Sequence, residues 1–421
     1  MKTIKLYTLG CKVNQYDTQA IREQFFSSGF KEICNGKGAD VCVINTCTVT
    51  HRADSDSIGA IRRAIRDNPK AKIIVTGCLT ELDGDKIKEI KGVNLIVKNN
   101  DKGSIAERSC GKRHCEPRRG EAISFFKGHT RAFLKIQDGC DNFCSYCKVP
   151  LVRGCSRSKK LEDVVSEARR LINNGFKEIV LTGICLGAYG KDLKPKISLV
   201  DVLEKLEDIE GLLRIRLSSI EAGDVSRGLI EQIAKSKKIC RHLHIPIQSG
   251  DDKILRLMNR KYSRAGYTKL IAKIKEMIPQ VAITTDVLVG FPGENERNFQ
   301  NTVKLVKRIQ PLKVHIFPYS KREGTLAAWK FKKEVPAAEI KNRLAHLRGV
   351  QEVCAREYKS KFLGKKMSVL IEGRAKFDPL LWEGYTDNYI RVLIKSKKDL
   401  KNKLFLTKPL TRAIVKKITL N

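Results

Sequence analysis

No run in this 421-residue chain approaches the ~20 consecutive apolar residues that a membrane span needs, which excludes an integral helical membrane protein. The opening residues, Met-Lys-Thr-Ile-Lys-Leu-Tyr, lack the long apolar stretch of a secretory signal, so the expected location is the cytoplasm. In that reducing compartment the 14 cysteines are thiols or metal ligands, not disulfides. The chain is long enough for about two to four domains with ordinary cores, and needs no covalent staple. Acidic residues are also in short supply: 82 Lys and Arg stand against 46 Asp and Glu, a formal charge of +36. A polyanion is the expected partner, with RNA or DNA ahead of an acidic membrane surface. A lysine-rich surface of the thermophile kind raises the same number.

Among what is present, Cys140, Cys144 and Cys147 carry most information. They form Cys-x3-Cys-x2-Cys within Gln-Asp-Gly-Cys-Asp-Asn-Phe-Cys-Ser-Tyr-Cys. A four-iron cluster normally takes four thiolates. A short loop that supplies three, with Tyr146 before the last, implies an iron kept open for a small chelating ligand. The alternative is a zinc knot completed by Cys155 or His129. Zinc sites usually pair Cys-x2-4-Cys half-sites, and no second pair lies at a suitable distance.

The patterning divides the chain into three segments. Residues 1–120 alternate strand-like runs (3–9, 39–45, 72–76 and 94–97) with helical patterns at 17–28 and 54–66, predicting a parallel α/β sheet of the Rossmann or flavodoxin kind. In such a sheet functional groups collect at the carboxyl edge. Cys11, Cys47 and Cys78 stand just past the ends of three strands and are expected to converge as a second three-cysteine site. Cys42, inside a strand, and Cys34, at a junction, read as buried small hydrophobes. A basic connector with Lys112, Arg113, Arg118, Arg119 and Lys127 comes next. Its Cys110 and Cys115, with His114 between them, lack anything to complete a metal site and read as bystanders, as does Cys354.

Residues 121–358 hold six strand-like runs (132–136, 178–181, 213–217, 242–247, 282–289 and 313–317), each followed by a polar or glycine-bearing loop. Chemistry at the carboxyl ends of strands is the rule for β/α barrels. Six units predict an open, partial (β/α)6 barrel whose gap admits a bulky substrate. Residues 359–421 have short alternating runs (367–371, 389–394 and 413–418) and Lys and Arg far in excess of Asp and Glu. A small β-barrel of the oligonucleotide-binding kind fits, with Trp382, Tyr385 and Tyr389 either as base-stacking rings or as its core.

Together these motifs resemble the radical S-adenosylmethionine (SAM) methylthiotransferases, in particular the bacterial branch acting on threonylcarbamoyladenosine in tRNA. The resemblance spans essentially the full length. It is carried by Tyr-Thr-Leu-Gly-Cys-Lys-Val-Asn-Gln-Tyr-Asp around Cys11, Ile-Asn-Thr-Cys-Thr-Val-Thr around Cys47, Val-Thr-Gly-Cys at Cys78, and the Cys140 loop. Arg-Leu-Ser-Ser-Ile-Glu at 216–221, Leu-His-Ile-Pro-Ile-Gln-Ser-Gly at 243–250 and Val-His-Ile-Phe-Pro-Tyr-Ser-Lys-Arg-Glu-Gly-Thr at 314–325 extend it. It departs from the family at Cys185, where a polar residue is more common, and at Ala222, where proline is. The resemblance implies two [4Fe-4S] clusters. One, on Cys140, Cys144 and Cys147, cleaves SAM to a 5′-deoxyadenosyl radical; the other, on Cys11, Cys47 and Cys78, holds the sulfur. One SAM would methylate that sulfur, and a second would supply the radical that activates carbon 2 of the adenine beside the anticodon. Implied SAM contacts are Tyr146, Thr182, Gly183, Ser218, Glu221, Gln248, Ser249, Gly290 and Gly293. Lys321 or Arg322 is expected to meet the threonyl carboxylate. The C-terminal segment would be a TRAM domain binding the anticodon loop. Further partners are a sulfur donor and an electron donor such as flavodoxin or ferredoxin. Sister branches acting on isopentenyladenosine or on a ribosomal-protein aspartate, and a non-catalytic iron–sulfur RNA-binding protein, are the alternatives. A basic C-terminal domain disfavours a basic ribosomal partner, and open-iron triads disfavour binding alone.

Overall fold

The computed structural model describes residues 2–33, 38–110 and 130–408. Strands β1 (Thr3–Thr8), β2 (Lys31–Glu32), β3 (Val41–Thr46), β4 (Lys72–Gly77) and β5 (Leu95–Val97) form a parallel sheet in the order β2-β1-β3-β4-β5. All six residues of β3 are buried, as a central strand covered on both faces must be. Helix α1 (Lys12–Ser27) lays Ile21 and Phe25 against Ile4 and Val43 on one face. Helix α2 (His51–Asp67) lays Ala60 and Ile61 against Cys42 and Ile44 on the other. Cys42 is therefore the core residue its position implied. Thr50 starts α2 by accepting a hydrogen bond from the Ala53 amide. Both helices begin earlier than their apolar periods predict. In α1 the reason is visible: Asn14, Asp17, Thr18 and Gln19 are buried polar residues, which hide the apolar stripe.

The second unit opens with β6 (Arg131–Lys135), followed by a short ribbon of β7 (Gln137–Asp138) and β8 (Arg157–Ser158) bracketing the cysteine loop. Strands β9 (Glu178–Thr182), β10 (Arg214–Leu217), β11 (His242–His244), β12 (Ala282–Val289) and β13 (Lys313–Pro318) complete it. Parallel pairing joins β6-β9-β10 and β11-β12-β13, and the bridges Ile215–Ile239 and Ser219–His244 link the two halves. The result is the expected six-stranded partial barrel. Along each strand alternate residues face opposite ways. Ile179, Leu181, Ile215, Leu217, Leu243 and Ile283 enter the core shared with the outer helices. Glu178, Arg216, His242, His244, Thr284 and Asp286 face the lumen and bond to one another.

Helix Ala337–Ser360 leads to a curled antiparallel sheet of β14 (Met367–Ala375), β15 (Asp378–Thr386), β16 (Arg391–Lys395) and β17 (Leu404–Thr407), ordered β16-β15-β14-β17. Neither β15 nor β17 was legible, because β15 opens on Asp-Pro and is broken by Gly384. The turn joining β15 to β16 closes the barrel floor. Arg216 donates there to the carbonyls of Asp387 (3.0 Å) and Thr386 (3.2 Å), and Arg214 to that of Tyr385 (2.8 Å).

The three aromatic residues considered for base stacking are occupied elsewhere. Trp382 is 4% exposed, packs with Val369, Ile371 and Ile394, and donates its indole N–H to the Ser396 carbonyl at 3.2 Å. Tyr385 and Tyr389 lie against Arg131 at the floor, with centroid distances of 5.4 and 5.6 Å. Burying the Trp382 ring is worth more to a small sheet than holding it in solvent, while the two tyrosines stay half-buried. Cys34, Cys115, His114, His129, the connector residues Lys112, Arg113, Arg118, Arg119 and Lys127, and the run 413–418 lie outside the described residues. Among the described residues no helix is long and apolar enough to cross a membrane.

Candidate functional site

Cys11, Cys47 and Cys78 stand at the carboxyl ends of β1, β3 and β4, which are neighbours in the sheet. Two glycines let their loops close. Gly10 has φ +92°, and a Cβ there would lie 2.7 Å from Cys47 Sγ. Gly77 has φ +104°, and a Cβ would lie 2.4 Å from the Thr46 backbone. Asn14, in the first turn of α1, pins the edge by donating to the carbonyls of Leu9 (2.8 Å) and Thr46 (2.9 Å). Burial pushes the Cys47 thiol up to about 11, and the neighbouring Cys78 and Cys11 add to the shift. Cys11 is the exposed member of the three, with Arg153 within electrostatic reach. Neighbouring thiols resist ionising together, and a bound metal cluster is what would stabilise them as thiolates.

The Cys140 loop lies at the same interface. Helix α3 (Cys78–Leu82) packs against helix Val149–Arg153, which leaves the Cys147 end of the loop. Arg153 is within electrostatic reach of Cys78 and Cys11 while donating to Asn14, Asp17 and Asp138. Burial pushes Cys147 up to about 12, with Cys144 and Cys140 contributing. Arg260 donates to Cys144 Sγ at 3.2 Å and to both carboxylate oxygens of Glu221 at 2.5 and 2.7 Å. A hydrogen bond from Cys185 pulls the Cys140 thiol down to about 7. Asn142 and Asp224 hold the Cys185 sulfur at 3.4 and 3.5 Å. Cys155 is exposed, and the described residues add no zinc partner beside it. Cys354 is buried.

The residues expected around SAM divide into two groups. Tyr146, Thr182, Gly183, Ser218, Glu221 and Gln248 stand at the carboxyl edge near the loop. Ser218 Oγ is buried with no hydrogen-bond partner among the described residues, an orphan hydroxyl that suits a polar ligand. Gln248 holds φ +68°, and its amide donates to the Asp286 carbonyl at 2.8 Å. Ser249 instead turns inward, where its Oγ meets Thr302 at 3.5 Å and accepts from the Asp251 amide. Gly290 and Gly293, with φ +79° and +87°, shape a turn against Ile340 and Leu257. Phe291 between them backs Tyr146 edge-on at 6.4 Å. Arg322 is buried and bound to Asp54 at 2.6 Å and to the Thr48 carbonyl at 2.8 Å, so its charge locks the two units together. Lys321 is exposed at the rim. Sequence reading missed Arg260, Asn14 and Arg153. A lone basic residue in so basic a chain gives no signal, whereas Asn14 had one, three residues after Cys11 on the first turn of a helix.

A parallel six-stranded partial barrel with a three-cysteine loop at its carboxyl edge, joined to a sheet with a second triad, defines a radical SAM enzyme bearing an additional cysteine domain. Residues 134–306 match the radical SAM superfamily, and residues 3–98 match the uncharacterized protein family UPF0004. The threonylcarbamoyladenosine tRNA methylthiotransferase MtaB of Bacillus subtilis (strain 168) is 39% identical, over 97% of this chain and 94% of that protein. Its Chlamydia pneumoniae namesake is 38% identical, over 88% and 87%. A tRNA-2-methylthio-N(6)-dimethylallyladenosine synthase of Clostridium tetani is 35% identical, over 91% and 88%. The chain belongs to the radical SAM tRNA methylthiotransferase family. Among solved structures, the radical SAM methyltransferase TsrM from Kitasatospora setae shares the fold, with a TM-score of 0.57 and 13% identity over 78% of this chain and 77% of that one.

Proposed function

We propose that this chain is a tRNA methylthiotransferase converting N6-threonylcarbamoyladenosine, next to the anticodon, to its 2-methylthio derivative. The observation that carries the reading is the meeting of two cysteine triads at one interface, in a chain whose relatives of 36–39% identity bear that activity in their names. Cys140, Cys144 and Cys147 would hold one four-iron cluster, and Cys11, Cys47 and Cys78 the other. Bound there, the clusters supply the electron that cleaves SAM and the site that carries sulfur. Ser218, Gln248, Thr182, Gly183 and Tyr146 line the SAM side, and Arg260 orients Glu221 and the Cys144 sulfur. Gly290 and Gly293 shape the adenine end of that side, and Ser249 supports it from behind. Lys321 is kept as a rim contact to the substrate; Arg322 is not, because Asp54 occupies it.

The division into 1–120, 121–358 and 359–421 assigns sulfur delivery, radical generation and RNA binding to successive domains. The partners are the tRNA anticodon loop, a sulfur donor and an electron donor such as flavodoxin or ferredoxin, all in the cytoplasm. Nucleoside mass spectrometry of tRNA from cells with and without the gene tests the reading. Loss of 2-methylthio-N6-threonylcarbamoyladenosine on deletion is expected. Its persistence, with loss of the methylthio isopentenyl nucleoside instead, would transfer the chain to the sister branch.

A further inference from the structure

We propose that Lys12 and His315 form an anion-binding subsite in the barrel lumen that takes the carboxylate carried by the N6 substituent of the target base. The inference rests on the proposed substrate and adds the residues that would enforce it. Lys12 directly follows Cys11. The charged and phenolic groups that act on its ammonium most are Tyr389, Arg131, Arg216 and Glu178, all of the lumen floor. Among the described residues that ammonium makes neither a hydrogen bond nor an ion pair. Lys12 is half-buried and its ammonium keeps access to water, so it is open to an arriving anion. Glu178 cannot serve, since Arg216 (2.7 Å), Arg214 (3.7 Å) and Arg131 (3.9 Å) already share it.

His315 is the second group without a hydrogen-bond partner among the described residues. His244 backs it, with ring centroids 5.6 Å apart. His244 is itself fixed through Nδ1 to Thr284 Oγ1 at 2.9 Å and through Nε2 to Asp286 Oδ1 at 3.2 Å. Lys12 is within electrostatic reach of both His315 and His242.

His244, Asp286 and His315 also have the spacing of a metal site, with ligand atoms all within 4.8 Å of one another. Charge decides between the two uses. Among the described residues Arg131, Arg214 and Arg216 of the floor share two carboxylates, Glu178 and Glu372, Lys12 adds a further positive charge, and Asp286 is engaged by His244. That surplus repels a divalent cation and attracts a carboxylate. A neutral dimethylallyl group would leave Lys12 and His315 unpaired. A threonylcarbamoyl group brings the acceptor both need.

The test compares an anticodon stem-loop bearing N6-threonylcarbamoyladenosine with the same RNA carrying its methyl ester, so the phosphates are identical. The cluster-loaded wild type should bind the acid about tenfold to a hundredfold more tightly by fluorescence anisotropy, the range of a hydrogen-bonded charge pair. Lys12→Met should erase most of that preference and His315→Phe part of it, with KM following Kd. Iron content checks that Cys11 keeps its place. If Lys12→Met loses iron, His315→Phe carries the test. An iron-replete variant that retains the full wild-type preference overturns this inference alone. Wild-type turnover confined to a dimethylallyl stem-loop overturns the substrate reading and this inference with it. Stoichiometric zinc that is lost in His315→Phe overturns the anion site in favour of a metal site.

Discussion

Asp17→Asn removes one charge and keeps the side-chain shape, at the most heavily loaded carboxylate of the interface between the two units. Asp17 is reached by Lys135 at 2.6 Å, Lys102 at 2.9 Å and Arg153 at 3.0 Å, and its side chain is 4% exposed. Breaking a buried pair by deleting one partner costs about 3–5 kcal/mol, because the remaining charge is stranded. Here Lys102 loses its ion-pair partner among the described residues, while Lys135 and Arg153 each keep Asp138 at 3.1 Å, so a cost within that range is expected in urea unfolding. The control is Asp56→Asn, whose partner Arg52 lies at 3.8 Å with both side chains in solvent. It should cost less than ~1 kcal/mol. The pH dependence comes from the same contacts. Burial alone would raise the Asp17 carboxyl, but Lys102, Lys135 and Arg153 together hold it far below the usual carboxylate range. A depressed value means that the stabilisation is present above the unfolded carboxyl's pKa of about 3.9 and is lost as pH falls toward the folded value. The gap between wild type and variant should therefore be flat near neutrality and shrink below about pH 4. Adding Lys102→Met to Asp17→Asn should recover part of the loss, because Lys102 is the cation left without a partner. A cost below ~1 kcal/mol, or a gap that does not change on acidification, would refute the reasoning.

Anaerobically reconstituted protein should carry about eight irons, and replacing either Cys140, Cys144 and Cys147 or Cys11, Cys47 and Cys78 with Ala should halve the iron assay. Gly10→Ala should lose only the iron of the N-terminal triad, about four of eight, since its methyl would fall 2.7 Å from Cys47 Sγ. Trp382→Ala should lower stability by about 3–5 kcal/mol in thermal or urea unfolding. The salt dependence of tRNA binding should be unchanged where that variant stays folded, because the indole is core.

The apolar runs ending at Cys11, Cys47 and Cys78 were legible because parallel strands read as short continuous hydrophobic stretches, and the carboxyl-edge rule then places the cysteines after them. The six barrel strands were legible for the same reason, to within a few residues. The start of α1 was not, since its buried face is polar and serves Asp17 and Asn14 rather than an apolar core. The closing sheet was read only in part: Asp378-Pro379 looks like a turn, and Trp382 looks the same in a core as on a surface. The pairing of Arg260 with Cys144 and of Arg322 with Asp54 joins residues separated by 116 and 268 positions. The first contact is created by barrel closure and the second by the packing of the two units, and neither leaves a local period to read.

The turn that closes the barrel floor also sets the order in which the molecule can be finished. Arg216 has no exposed side-chain surface, yet its carbonyl acceptors at Thr386 and Asp387 lie 170 and 171 residues downstream. A nascent chain with all six barrel strands outside the ribosome would still have a core short of acceptors. Its last-made sheet is thus a keystone as well as a carrier of basic charge. Chains cut short before residue 385 would hold stranded arginines at their centre. Synthesis would in this way select for full-length molecules, since the portion expected to grip RNA must be in place before the radical-generating portion is sound.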